Sequence, residues 1–584
     1  MVQLTQTGKI LVNILLIVLS VLCGSLLFFV PWLKRRKELS LKRFFVENRL
    51  RFFASLVLIA GFLTRVAFLD LLPGGLNQDE ASAGYDAYAI LKYGVDRNGM
   101  KYPVHLIAWG SGQNALYSYL CMPFMLALGV NELSVRLPMA IVGCVSLVLL
   151  YRLLNRRYDE RIAFLGLAFL AICPWHLMKS RWGLESNLFP DLVFWGFCLL
   201  MKGIDDDRKA AFFLSSFVFG LSAYSYGTSY FFLSFFVVAA LVYLFLKKRV
   251  RAGGALIYLC IIGCMSLPII AFVYINLTGG ESIRFLCFTI PKLTQDRFQA
   301  VTNIFSDTFF LQSLLNIAKG LGIVLLQYDF LPWNAVPFFG TLYLVSLPFT
   351  FIGLFKRRKK ENLLFGILKI WLIVALAMLI IVSPNINRIN IVFFPLIIFT
   401  IFGIREVIEA KPSLKRKIFA LYGACFALFV SVYSTVWNTQ ILEKKFYDSY
   451  GEAIECAAAV EGAQYCYVTP SVGTSYIYVL FYTEYDVRDF IDTCEYADPG
   501  AAFRRVDSFG RYRFYLPEKI ERGSVYLVSR SDAIYDGVDL SPYEVTYFKN
   551  YYVINVFRAG EGKERVLAVG RKRKQRKRRK FCRG

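Results

Sequence analysis

The sequence predicts an all-α polytopic membrane protein of about twelve transmembrane helices, followed by a C-terminal extracytoplasmic α/β domain. Three observations predict this. Hydrophobic residues fill 57% of the 584 positions, mean hydropathy is +0.49, and the apolar residues fall in uninterrupted runs of spanning length. The runs are continuous rather than alternating, which excludes a spanning β-barrel. Short Lys/Arg clusters separate the runs until Trp437, after which mixed apolar periods and Tyr-, Val- and Ile-rich stretches take over.

The net charge of +25 therefore reads as positive-inside topology and affinity for anionic headgroups, not as a nucleic-acid surface. Thirteen cysteines are scattered, several inside apolar runs (Cys144, Cys198, Cys260, Cys264), and the only histidines are His105 and His176. No Cys/His zinc spacing can be assembled from them. Cys456, Cys466 and Cys494 leave a disulfide open but unpaired by sequence. Walker-type P-loops, G-x-S-x-G elbows and H-E-x-x-H motifs are missing, which removes the usual support for ATP-driven and serine-hydrolase activities. The first apolar run is long and lacks a small-residue cleavage site, so it is expected to stay as a helix.

Taken in order, residues 1–51 hold the span Ile10–Leu33 and a basic cytoplasmic loop. Residues 52–436 form the membrane unit. Phe52–Leu72 leads outward and delivers Asp79-Glu80 to an outer loop, 73–132. Ala115–Gly129 is apolar but short and holds Pro123, which suits a helix lying at the surface. Leu133–Leu154 returns to an arginine cluster. Ile162–Met178 then places His176, Arg181 and Glu185 on the face of Asp79. Spans follow over Leu188–Met201, Ala210–Tyr226, Tyr230–Leu246 and Leu256–Ile275. In the outer segment Asn276–Pro337, the piece Leu314–Leu326 is short and interrupted by Lys319, and Arg284, Lys292 and Arg297 read as a solvated face. Phe338–Leu354, Leu363–Val382, Ile389–Ile404 and Ile418–Val436 complete the unit. Residues 437–560 are read as the α/β domain, with a helix over Tyr447–Val460 and strands over Gln464–Val468, Arg511–Leu516, Ser524–Val528 and Tyr551–Val556. Residues 561–584 are a basic, disordered tail.

Candidate chemistry sits at span ends. Asn77 followed by Glu80 is a capping box, so Asp79 and Glu80 either favour a helix N-terminus or use it as a rigid mount. An ionised Asp79 there suits a proton acceptor. Arg181 and Glu185, one turn apart, are either a helix-surface pair or a cation and a second acid facing Asp79. His176 reads as packed or interfacial. Arg388 is a snorkelling anchor or an anion ligand. Tyr224, Tyr226 and Tyr230 read as an interfacial belt.

The acidic pair after an early span, the loop with its surface helix, and Leu133-Ser134-Val135-Arg136-Leu137-Pro138 together resemble the polytopic GT-C glycosyltransferases. The likeness is to the bacterial branch of protein O-mannosyltransferases and lipid A aminoarabinose transferases. Cys173–Leu188 and Asn387-Arg388-Ile389-Asn390, followed by Pro395, extend it over most of Gly61–Gly403. The resemblance implies transfer of a sugar from a polyprenyl-phosphate donor to a hydroxyl acceptor (protein, glycolipid or cell-wall polymer) at the outer face. In it Asp79 is the base, with Glu80 beside it. Glu185, Arg181, Arg388, His176 and Tyr85 border substrate, and Asp79 and Glu185 are candidate ligands for a divalent cation (Mg or Mn). The aminoarabinose branch has a phosphate-contacting lysine where this chain has Gln113, which moves the phosphate role towards Arg388 or Arg181. A single displacement implies inversion at the anomeric carbon. The rival is a transporter or lipid-linked saccharide flippase using the same acids as proton or substrate ligands.

Overall fold

In the computed structural model, which describes residues 5–35, 40–295, 301–304, 306–356 and 362–556, the apolar runs are helices. Among the described residues nine helices are long and apolar enough to cross a membrane, or ten if one bent pair is a single span. The sequence reading expects about twelve; the difference lies in helices that fall short of this measure of length and apolarity. The helix Arg49–Val66 falls out of the count because it carries Arg49, Arg51 and Arg65, and Lys209–Ser222 and Leu344–Phe355 are short. The expected span Ile162–Met178 is broken into Glu160–Ile172 and Pro174–Ser180, bent by 59°. Proline lacks the N–H that would continue the ladder and disfavours helical geometry in the residue before it. Cys173 accordingly sits in extended backbone, and Pro174 opens the second piece.

Phe309–Leu326 passes on length and apolarity although its sequence reads as too short to cross. Its ends are tied to one segment: Ser313 Oγ donates to Ile380 O (2.7 Å), and Asp329, just past the helix, accepts from Ile386 N (2.9 Å). The helix therefore runs alongside 380–386.

Short strands shape the part that holds the acids. β1 (His105–Leu106) pairs with β2 (Gln113–Asn114), and β3 (Ile283–Phe285) with β4 (Phe288–Ile290). The C-terminal sheet is built from β5 (Tyr465–Val468), β6 (Glu495–Tyr496), β7 (Val506–Phe509), β8 (Tyr512–Arg513), β9 (Ser524–Ser529), β10 (Glu544–Tyr547) and β11 (Tyr551–Asn555). Their order is β10-β11-β9-β5-β8-β7-β6, with β5 parallel to both neighbours and the other pairs antiparallel. Cys456, Cys466 and Cys494 are free thiols, so the disulfide left open by the sequence does not form. The basic tail lies outside the described residues.

The helix Ser475–Tyr482 is buried along its whole length because it fills the space between this sheet and the helix Gln78–Tyr93. A Cβ at Gly84 would lie 2.6 Å from the Phe481 ring, so only glycine lets the two helices approach this closely. Tyr85 and Tyr88 hydroxyls donate to Tyr485 O (2.9 Å) and Glu484 O (2.8 Å). One hydrophobic core thus holds the acid-bearing helix, the surface helix Leu116–Leu128 and the C-terminal sheet.

Candidate active site

The helix Gln78–Tyr93 starts at a full capping box: Asn77 Oδ1 accepts from Asp79 N (3.1 Å), and Asn77 N donates to Glu80 Oε2 (3.0 Å). That geometry turns the two adjacent acids in different directions. Glu80 is buried against Arg136, whose Nε and Nη2 donate to its two oxygens at 2.8 and 2.9 Å. Gly183 N adds a third bond at 2.9 Å, so each carboxylate oxygen of Glu80 accepts two hydrogen bonds. A carboxylate has about four acceptor sites, and these are filled. Arg136 also donates to the carbonyls of Leu69 and Pro73. Glu80, expected beside Asp79 in the chemistry, is instead a staple joining three segments of the chain.

Asp79 and Glu185 are close enough for their charges to interact, and both act on the Tyr226 hydroxyl together with Arg388. Glu185 opens the helix Glu185–Asp205 and is half-buried, with its Oε2 shielded from solvent and without a hydrogen-bond partner. An unpaired buried carboxylate oxygen costs free energy unless something else meets it. The Asn114 backbone lies close enough to favour the charged form of Glu185, and Asn114 Nδ2 donates to the Tyr230 hydroxyl (3.1 Å). Arg388 follows a helix start capped by Asn385 and donates to Ser383 O (3.0 Å). Asn390 Nδ2 donates to Ser186 O (2.7 Å), which seats the Arg388 segment on the Glu185 helix. Asp79, Glu185 and Arg388, separated by hundreds of residues in the chain, therefore meet around Tyr226.

Other expected site residues are occupied elsewhere. The Arg181 guanidinium donates to the carbonyls of Thr64, Ala67, Phe68 and Leu72 at 2.8–3.0 Å, where it closes the C-terminal end of Arg49–Val66. His176 Nδ1 meets Arg65 Nη2 at 2.8 Å, and Nε2 lies 3.5 Å from Asp191, which pairs with Lys179 and accepts from Ser146 (2.6 Å). Tyr85 belongs to the seam with the C-terminal sheet. Gln113 accepts from Ser82 (2.8 Å) and donates to Asp79 O at 3.4 Å, so it braces the first turn of the acid helix from below. Arg97 Nη2 donates to the same Ser82 hydroxyl (2.8 Å) and its guanidinium stacks 4.6 Å over Trp109. Beside Arg97 lie two buried acids. Burial raises Asp86, and burial with the Asp86 charge pushes Asp96 up to about 7.

Sequence reasoning passed over Asn114, Tyr226 and Tyr230. The tyrosines look like any aromatic belt, and only the fold turns their hydroxyls inward. Asn114 sits in a two-residue strand too short to leave a periodic signal.

Residues 114–274 match the family model described as dolichyl-phosphate-mannose-protein mannosyltransferase, a stretch that includes Asn114, Glu185, Tyr226 and Tyr230. A search of curated protein sequences found no match. Among solved structures the chain is similar to ArnT from Cupriavidus metallidurans bound to undecaprenyl phosphate, with 12% identity, TM-score 0.50, and coverage of 88% of this chain and 99% of that one. The apo form of the same ArnT gives 12% identity, TM-score 0.49 and coverage of 87% and 98%. The oligosaccharyltransferase AglB from Archaeoglobus fulgidus, in complex with an inhibitory peptide and a dolichol-phosphate, gives 12%, 0.45, and coverage of 75% and 64%. The chain is a multi-pass membrane protein with the fold of the GT-C glycosyltransferases, and its residues 114–274 carry the sequence pattern of the dolichyl-phosphate-mannose-protein mannosyltransferases.

Proposed function

We propose that this protein is a membrane glycosyltransferase that moves a sugar from a polyprenyl-phosphate donor to a hydroxyl acceptor. The observation that carries this is the meeting of Asp79, Glu185 and Arg388 around Tyr226. Asp79 accepts the acceptor's hydroxyl proton as the oxygen attacks the anomeric carbon. The bond from that carbon to the phosphate oxygen breaks on the opposite face, which inverts the configuration. Phosphate leaves as polyprenyl phosphate with its charge met by Arg388, so no acid is required to protonate it. Base assistance of this kind contributes about 10²–10⁴-fold. Among the described residues no group of three or more His, Cys, Asp or Glu converges, so a divalent cation here would rest on Asp79 and Glu185. The orphaned Glu185 Oε2 fits that role, and Mg or Mn would supply charge neutralisation between the two acids. The Lys/Arg clusters of the loops between spans support an extracytoplasmic site and C-terminal domain.

One feature favours the transporter reading: a broken helix beside the buried ions Lys179, Asp191 and Arg65 is the kind of construction transporters use. Those ions, however, are closed on one another and on backbone carbonyls. Incubation of the purified protein with radiolabelled polyprenyl-phosphate sugars and a panel of hydroxyl acceptors separates the two. Sugar transfer that is lost in Asp79→Asn supports the enzyme. Vesicle uptake of the labelled lipid or sugar without any transfer would replace it with the transporter.

A further inference from the structure

The helix Ala252–Thr278 is 27 residues long. At 1.5 Å per residue it measures about 40 Å, longer than a hydrocarbon core of about 30 Å, so its last turns reach headgroup level. The chain then reverses. Gly279 adopts the left-handed conformation, and Lys292 Nζ donates to Gly279 O (3.0 Å). Asn276 binds both Pro291 O (3.2 Å) and Leu293 N (2.8 Å). These ties fold the β3–β4 hairpin back along the helix end, where Ile290 is buried against Phe272 and Ile275.

The other side of the hairpin is apolar and bare. Ile283 is 42% exposed, Phe285 55% and Leu286 90%, and Cys287 is exposed beside them. A cluster of this kind facing water would be an unusual expense on a folded surface. The helix that the hairpin folds against also exposes Ile270, Tyr274 and Leu277, apolar residues of the kind a membrane helix turns towards lipid. Arg284 and Lys292, with Glu281 the one acid in the described stretch 276–295, put cations beside the apolar turn, the pairing that suits lipid phosphates.

We propose that the β3–β4 hairpin inserts its Phe285–Phe288 turn into the leaflet on the Asp79 side, with bilayer lipid as its partner. The insertion ties the membrane surface to the site. Thr289 O accepts from Val104 N (2.9 Å), and the next residue, His105, stacks on Phe272 with ring centroids 4.0 Å apart. His105 pairs across the β1–β2 ladder with Asn114, which contacts Glu185 and Tyr230. The hairpin is thereby joined to Asn114 through two strands.

The test uses the full chain in nanodiscs. With Cys23, Cys144, Cys260, Cys264, Cys425, Cys456, Cys494 and Cys582 replaced by serine, a spin label on native Cys287 is expected to collide more often with O₂ than with nickel-EDDA. Greater collision with nickel-EDDA, as for a loop in water, would overturn the proposal. So would protection from both reagents, the mark of a protein partner or a second copy over the turn. Should the serine variants fail to fold, the unsubstituted protein is photolabelled with photoactivatable phospholipid. Adducts are expected on residues 283–290; labelling of 252–278 with none on the hairpin would overturn the insertion. Neither readout depends on sugar transfer.

Discussion

Asp79 and Glu80 are neighbours in the chain and part company in space, because consecutive residues at a helix start point about 100° apart. Glu80 spends both oxygens on Arg136, Gly183 and Asn77, whereas the Asp79 charge acts on Glu185. The two substitutions should therefore fail differently. Asp79→Asn is expected to cut turnover by about 10²–10⁴-fold with the folded state kept, measured as transfer rate alongside thermal unfolding. Glu80→Gln leaves a buried guanidinium without its counter-charge and is expected to destabilise by about 3–5 kcal/mol, read as a lowered unfolding midpoint. A residue off the site gives a pH signature. Asp96 is held at about 7 in the fold by burial and the Asp86 charge, against an ordinary value near 4 when unfolded. Between those values the folded state binds the extra proton, so its stabilisation is present at low pH and is lost as pH rises through 7. Unfolding of the 78–130 region, followed by hydrogen exchange, should be harder at pH 5.5 than at pH 8, and Asp96→Asn should flatten that slope.

At the scale of elements, the capping box, the surface helix Leu116–Leu128 and the strands around Tyr465, Ser524 and Tyr551 were legible because each is a local pattern. Span ends were less so. Hydropathy smooths over Cys173-Pro174, yet the proline breaks the helix and swings Arg181 beneath Arg49–Val66 instead of into the site. Arg181 and Glu185 read as a one-turn pair, but they lie either side of a second interruption, between Pro174–Ser180 and Glu185–Asp205, and no helix runs through both. Gly84 gave no signal beyond being a glycine. Its need is tertiary, set by the Phe481 ring. Gly84→Val should force the acid helix away from Ser475–Tyr482, costing about 1–3 kcal/mol by overpacking, with a matching fall in the unfolding midpoint.

Across the whole molecule, the C-terminal sheet reads from sequence as a separate domain, whereas the structure gives it one core with the acid helix. No local pattern could report this, since the contacts join residues some 400 positions apart, such as Tyr85 with Tyr485. Removing everything after Trp437 should therefore do more than delete an acceptor-facing lobe. The stretch 78–130 would lose the cover of Phe481 and Tyr478, and limited proteolysis should cut there in the truncated protein and not in the full chain. The convergence of Asp79, Glu185 and Arg388 is likewise a property of the fold; the sequence supplies the acids at span ends and the structure brings them near Tyr226. A cryo-EM structure of the protein with polyprenyl phosphate tests that convergence most directly. The phosphate is predicted within hydrogen-bond reach of Arg388, between Asp79 and Tyr226; a phosphate bound away from all three, or on the face of Lys247 and Arg251, would contradict it.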